Sequence, residues 1–202
     1  MNIIYLCCDP GVDPSGSKGA SIHVRSFTRA LHEWGCEVTA IAGKINSPAL
    51  YQDLTGCTAL AATLSPWQVA LRRVIKTIPQ IHGGPPRNHD AASCLSLESQ
   101  TRRAAFGTSK TGHGIWGGGS VRGRNLVRTL HVAACRRVLE ATMARLKPAF
   151  IYERYSLWGT AGLNCARRHG IPLVLEVNAP LVDEESRYRA GFTLPALARR
   201  IG

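Results

Sequence analysis

"NIIYLCCDPGVDPSGSKGASIHVRSFTRALHEWGCEVTAIAG", residues 2–43, changes its hydrophobic period three times. Residues 2–8 form a continuous apolar run, which is how a strand covered on both faces reads. A stretch rich in Gly, Pro and Ser follows, carrying one lysine, Lys18. Val24, Phe27, Leu31 and Trp34 then recur at spacings of three and four, the stripe of an amphipathic helix, with Gly35 placed as its C′ residue. "EVTAIAG" (37–43) is a second strand. The whole is one βαβ unit, whose crossover is expected to be right-handed.

The far end of the chain repeats this punctuation. Residues 126–146 read as a long helix, with Leu130, Ala134, Val138 and Ala141 on one side, Cys135, Leu139, Met143 and Leu146 beside it, and Pro148 closing it. "FIYE" (150–153) is a strand, 157–169 a short helix ended by Gly170, and "PLVLEV" (172–177) another strand. A loop, "NAPLVDEESRYR", and a helix start at "LPALARRIG" complete the sequence, an ending that reads as a cut through a larger protein. The pattern predicts an α/β fold: a Rossmann-like, doubly wound parallel sheet in a single domain over 1–202.

Residues 79–125 break the pattern. Only 12 of these 47 residues are apolar, and seven glycines fall within 107–123. Such a segment buries too little surface to offset its ordering entropy, so it reads as a long irregular insertion. A shifted reading frame of a GC-rich coding sequence is a second explanation for its Arg, Gly, Ser, Thr and His content.

Composition narrows the class. At 202 residues the chain suits one domain that buries roughly 70% of its unfolded surface. No apolar stretch reaches membrane-span length, and Met1 leads directly into a strand rather than a signal core, which predicts a cytoplasmic protein. The seven cysteines are odd in number, irregularly spaced and without a C-x-x-C pair, so neither a disulfide framework nor a metal site is expected. Cys7, Cys8 and Cys165 read instead as small hydrophobes.

The net charge of +12 is uneven. Residues 1–101 carry 8 Lys and Arg against 7 Asp and Glu; residues 102–202 carry 17 against 6. No acid falls between Glu98 and Glu140, where Arg102, Arg103, Lys110, Arg122, Arg124, Arg128, Arg136 and Arg137 lie. That block is either a solvated basic stretch or a module over 102–137 that binds nucleic acid or an anionic membrane surface. Phe106 and Trp116 are its only stacking aromatics and no RNA-binding or helix-turn-helix pattern is present, so nucleic acid ranks as the weaker partner.

The loop over 8–18 is longer than the usual two to six residues of a βα connection and leads into a helix start, where backbone N–H groups and the helix dipole favour anions. Ser17 or Ser21 is placed to cap that helix. The order Gly16-Ser17-Lys18-Gly19 puts the lysine one position too late for a Walker A loop, with no hydroxyl after it. Gly11, Gly16 and Gly19 do not space as a dinucleotide fingerprint, and the second strand ends Ala42-Gly43-Lys44 without an acid.

"DPGVDPSGSKGASIHVRSFTRALHEWGCEVTAIA" resembles the opening of the family 4 glycosyltransferases, which share the two-domain GT-B fold. Ser21-Ile22-His23-Val24 matches the family's "S-x-H-V" element, and Gly35-Cys36-Glu37-Val38-Thr39 matches "G-H-E-V-T" except that Cys36 replaces the usual His. "IYERYSLWGTAGLNCARRHGIPLVLEVNAPLVDEESRYR" (151–189) resembles a later part of the same N-terminal domain. The two blocks cover about 70 residues. The resemblance implies an acceptor-side domain, one half of a GT-B fold, of a retaining hexosyltransferase that moves sugar from a nucleotide-sugar donor without a metal or other cofactor. It implies that Gly16, Ser17, Lys18 and Gly19 face the donor diphosphate, and that Ser21, His23, Glu153, Arg154, Tyr155, Glu176 and Asn178 line the cleft. It assigns no catalytic residue. The acceptor would be a glycan, a lipid-linked molecule or a small molecule, met at the inner face of a membrane in the lipid case. The C-terminal domain that carries the family's paired glutamates is absent from the sequence, so a separately encoded domain is an implied partner. The fragment alone is expected to be inactive.

Overall fold

A computed structural model describes residues 1–77 and 121–182. Five strands form one all-parallel sheet: β1 (Asn2–Cys7), β2 (Glu37–Ala42), β3 (Thr58–Ala61), β4 (Phe150–Arg154) and β5 (Leu173–Glu176). Their order is β3-β2-β1-β4-β5, and every pairing is parallel. Among the described residues five helices flank them: α1 (Gly19–Glu33), α2 (Pro48–Thr55), α3 (Pro66–Thr77), α4 (Val121–Leu146) and α5 (Ala161–His169). The α/β, Rossmann-like expectation holds. Strand order reverses between β1 and β4, the switch point beside which such sheets bind ligands at the strands' carboxyl ends.

The two faces are sorted by the period-2 geometry of the strands. Ile4, Leu6 and Cys8 point to one side, where they join Ala134, Cys135 and Leu139 of α4 and Cys165 of α5. Tyr5 and Cys7 point to the other, against Val24 and Phe27 of α1 and Tyr51 of α2. Leu6, Ile41, Leu139 and Ile151 are fully buried. Helix α3 packs on α4 through Ile75, Val127 and Leu130, with Leu64 beside them.

Several boundaries differ from the sequence expectation. Trp34 is not on the buried stripe of α1; it is 85% exposed, because it is the C-cap residue and the helix ends there. Gly35 at φ +81° completes the stop: its N–H reaches His32 O (2.9 Å) and the Cys36 N–H reaches Leu31 O (3.1 Å), a Schellman pair. Helix α4 begins at Val121 rather than 126, so residues 121–125 belong to it and not to the expected insertion. Ala141 faces solvent there. Helix α5 begins at Ala161, not 157. Trp158 at φ +68° and the Gly159 N–H to Ser156 O bond (2.8 Å) make a turn first. The rest of the expected insertion, the acidic cluster 183–185 and the helix start at 194–202 lie outside the described residues.

Elements α2, β3 and α3 have no counterpart in the sequence reading. Ser47 accepts from the Leu50 N–H at the start of α2, Pro48 follows it, and Gly56 at φ +70° ends the helix. At α3, Gln68 reaches back so that its Oε1 accepts from the Ser65 N–H (2.9 Å) and hydroxyl (3.0 Å), the back-reaching half of a capping box.

Candidate functional site

The loop after β1 is built by its own acids. Asp9 Oδ1 accepts from the Gly11 N–H (2.7 Å), and Asp13 Oδ1 accepts from the Ser15 N–H (3.0 Å) and hydroxyl (2.7 Å). The Arg25 guanidinium donates to the carbonyls of Pro14 and Gly16. Two further bonds tie the loop to the β2–α2 connection, from the Asn46 N–H to Asp13 Oδ1 (3.3 Å) and from the Ser47 N–H to Ser15 Oγ (3.1 Å). The bend is therefore held by bonds of its own.

Its four expected phosphate residues divide. The Gly16 amide is already used, donating to Asp13 O (2.8 Å), and a Cβ there would sit 3.1 Å from that carbonyl and 3.3 Å from Ser21 Oγ. Gly16 is a packing requirement. Ser17, Lys18 and Gly19 are exposed, and a Cβ at Gly19 would meet nothing within 4 Å. Neither serine caps α1: Lys18 is the N-cap residue, no side chain caps the helix, and Ser21 is buried at the third helical position. Among the described residues, then, the first turn of α1 presents amides without a side-chain acceptor beside open space, an arrangement suited to an anion.

Next to that turn lies a cluster centred on Glu176, whose side chain is 11% exposed at the end of β5. Its Oε1 accepts from His23 Nε2 (2.9 Å), from the Arg154 guanidinium (2.5 Å) and from Asn178 Nδ2 (2.5 Å). Its Oε2 accepts from the Tyr5 hydroxyl (3.3 Å). The register explains the meeting: Arg154 and Glu176 are directly paired on β4 and β5, and Cys7 is paired with Arg154 across β1. His23 is one helical turn beyond Gly19, so both share a face of α1. Aromatic rings floor the cluster, with Phe27 and Tyr152 centroids 4.4 Å apart, Tyr5 and Tyr152 stacked at 5.5 Å, and His23 stacked on Phe27 at 6.4 Å. Burial, then the Glu176 charge, raises the Tyr152 phenol above its ordinary pKa, so both the tyrosines here are neutral donors.

Because a carboxylate only accepts, the His23–Glu176 bond places a proton on Nε2 and leaves Nδ1 outside that bond on a half-exposed ring. Arg154, at 14% exposure, is largely committed to Glu176. Its partner is Glu176 and not Glu153.

Glu153 departs from the expected cleft. As the neighbour of Arg154 on β4 it points to the opposite face, where it is 2% exposed and packed against Gly162 at the start of α5. Among the described residues its Oε1 has no hydrogen-bond partner, nor has the buried Ser156 hydroxyl. Burial pushes the Glu153 carboxyl up to about 7, only partly offset by the Gly162 N–H that it accepts. Tyr155 is half-buried, and its N–H donates to Glu176 O (2.9 Å), continuing the ladder past β4. Thus His23, Arg154, Glu176 and Asn178 come together, Ser17–Gly19 form the adjoining rim, and Gly16, Ser21 and Glu153 serve the scaffold.

Sequence reasoning missed Tyr5, Phe27 and Tyr152. The first two do pack in the core, as their apolar surroundings suggest, and only the Tyr5 hydroxyl bond to Glu176 and the ring stack bring them to the cluster.

The basic block presents no such assembly among the described residues. Arg102, Arg103 and Lys110 lie outside them, Arg137 is bonded to Gln68 Oε1 (2.7 Å), and Arg128 contacts Asn125 Oδ1 (3.5 Å). Arg136 is exposed. No helix among the described residues is long and apolar enough to cross a membrane. No family model and no curated protein matches this sequence.

Proposed function

We propose that this chain is the acceptor-side, N-terminal domain of a GT-B-type, family 4-like glycosyltransferase, acting on a nucleotide-sugar donor and a hydroxyl-bearing acceptor in the cytoplasm. One observation carries the reading: the uncapped start of α1 opens at the β1–β4 switch point beside the His23–Glu176–Arg154 cluster. Amides of the first helical turn and the Lys18 ammonium suit the donor diphosphate. His23, oriented by Glu176, offers Nδ1 to an acceptor hydroxyl, and Asn178 and the tyrosine hydroxyls suit the polar edge of a sugar. The transfer itself needs no metal in this reading.

The domain supplies only one wall. A departing nucleotide diphosphate is stabilised by charges and dipoles from both sides of a closed, water-poor cleft. In this reading the second wall comes from a donor-side domain, and these residues by themselves are expected to transfer no sugar.

The test is an amide-resolved NMR titration of the full chain with uridine, guanosine and adenosine diphosphates and their hexose conjugates. Expected are shifts confined to Ser17–Ser21 and His23 with at least one nucleotide, and no sugar transfer. Nucleotides that leave those amides unmoved, or move only residues elsewhere, remove the reading; turnover by the chain alone removes the half-site argument.

A further inference from the structure

Far from the cleft, α4 and α5 bring together three side chains of different donor chemistry: the Glu140 carboxylate, the Cys165 thiol and the His169 imidazole, with one donor atom of each within 4.8 Å of the others. We infer that they form a binding site for a thiophilic divalent cation of the zinc class.

The local structure explains how they meet. Cys165 and His169 are four apart on α5, hence on one face, one turn above the other. That face packs on α4, whose Glu140 approaches from the side. His169 Nε2 lies 3.0 Å from Glu140 Oε2, while the other oxygen, Oε1, accepts from the Arg168 guanidinium. Arg168 thus fixes the carboxylate with one oxygen and leaves the other turned toward the imidazole and the thiol. Such outer bonding orients a ligand without occupying its donor atom.

The chemistry selects the ion. Thiolate with imidazole and carboxylate is a zinc-type set, whereas magnesium and calcium take oxygen donors. One thiolate and one carboxylate balance a divalent charge. The site also sits at the negative end of the α5 dipole, after which Gly170 at φ +65° ends the helix. Cys165 is buried, while the His169 side chain is 35% exposed and that of Glu140 26%, so an ion can enter from solvent and keep water as a further ligand. Burial, then the neighbouring Glu140 charge, raises the Cys165 thiol to about 11. A bound cation reverses that and displaces the proton.

Helix α5 runs back from the end of β4 to the start of β5, so His169 lies at the edge where the strands begin, opposite the α1 loop. The ion is therefore a staple between α4 and α5 and not a participant in transfer.

Cobalt(II) and zinc(II) titrations of the reduced full chain test this. Cobalt is expected to bind one per chain with tetrahedral visible bands and a thiolate-to-cobalt charge-transfer band in the near ultraviolet. Zinc should displace it, and magnesium should not. C165S should abolish the charge-transfer band, and E140Q and H169A should each weaken cobalt binding at least tenfold. The last two change partly exposed positions and keep the test open if C165S fails to fold. Cobalt that does not bind, binds without the thiolate band, keeps that band in C165S, or binds E140Q and H169A as tightly as the unchanged chain overturns the inference.

Discussion

The two faces of the sheet treat charge in opposite ways at the same edge. On the α1 face, Glu176 is bonded to Tyr5, His23, Arg154 and Asn178, above stacked rings and beside solvent. On the α4/α5 face, Glu153 lies near Cys8 and against Gly162, with one oxygen unbonded among the described residues. These carboxylates stand on neighbouring strands. The difference comes from a single step along β4, since Glu153 and Arg154 are consecutive and consecutive strand residues point apart. At this edge one face is polar above an aromatic floor, and the other is apolar around an acid whose pKa burial raises to about 7.

The largest test of that contrast concerns packing. Leu139→Ala on α4 removes a fully buried side chain from the larger cluster and is expected to cost about 3 kcal/mol. Phe27→Ala, at the partly buried aromatic floor, should cost less in spite of the larger deletion. Urea unfolding of both variants measures the difference, and equal losses would erase the distinction between the faces.

A comparable effect, dependent on pH, belongs to Glu153. Its folded pKa of about 7 lies above the ordinary 4.5, so the folded state holds its proton more tightly than the unfolded chain. That preference stabilises fully below about pH 4.5 and is lost as pH rises through 7, by about 3 kcal/mol in all. Glu153→Gln should match the unchanged chain near pH 4.5 and exceed it at pH 8. Parallel stability–pH curves for the two would place an ionised, solvated carboxylate where the structure has a buried one.

The smallest effect is expected at the rim. Lys18→Ala changes an exposed N-cap side chain without a bonding partner among the described residues, so stability should move by less than about 0.5 kcal/mol, while the proposed function requires nucleotide diphosphate affinity to fall. A larger loss in urea unfolding would make Lys18 part of the scaffold.

The outer elements were readable because burial imposes period on them. β1 is apolar after Asn2, β2 is interrupted only by Glu37 at its exposed start and by Thr39, and Gly35 and Gly170 stop their helices in the left-handed region. The middle was hidden for a different reason. β3 is four residues of Thr, Ala and Leu, too short and too small to show a period. Its neighbours were marked by chemistry instead of hydrophobicity, through Ser47-Pro48 and Gly56 at α2 and Ser65 with Gln68 at α3. At the site, residue types pointed to His23, Arg154, Glu176 and Asn178, but which face each occupies depends on strand register. That is why Glu153 was grouped with the cleft and Tyr5 was not. The Glu140–Cys165–His169 cluster was invisible because its donors come from separate helices.

The tethers from Asp13 and Ser15 to Asn46 and Ser47 have a consequence for recognition. The two connections are thereby joined into one stiff edge. If the proposed nucleotide-sugar reading holds, little freedom remains to be frozen on docking, so removing the Ser15 hydroxyl that accepts from the Ser47 N–H should register chiefly as faster escape of the guest rather than slower capture.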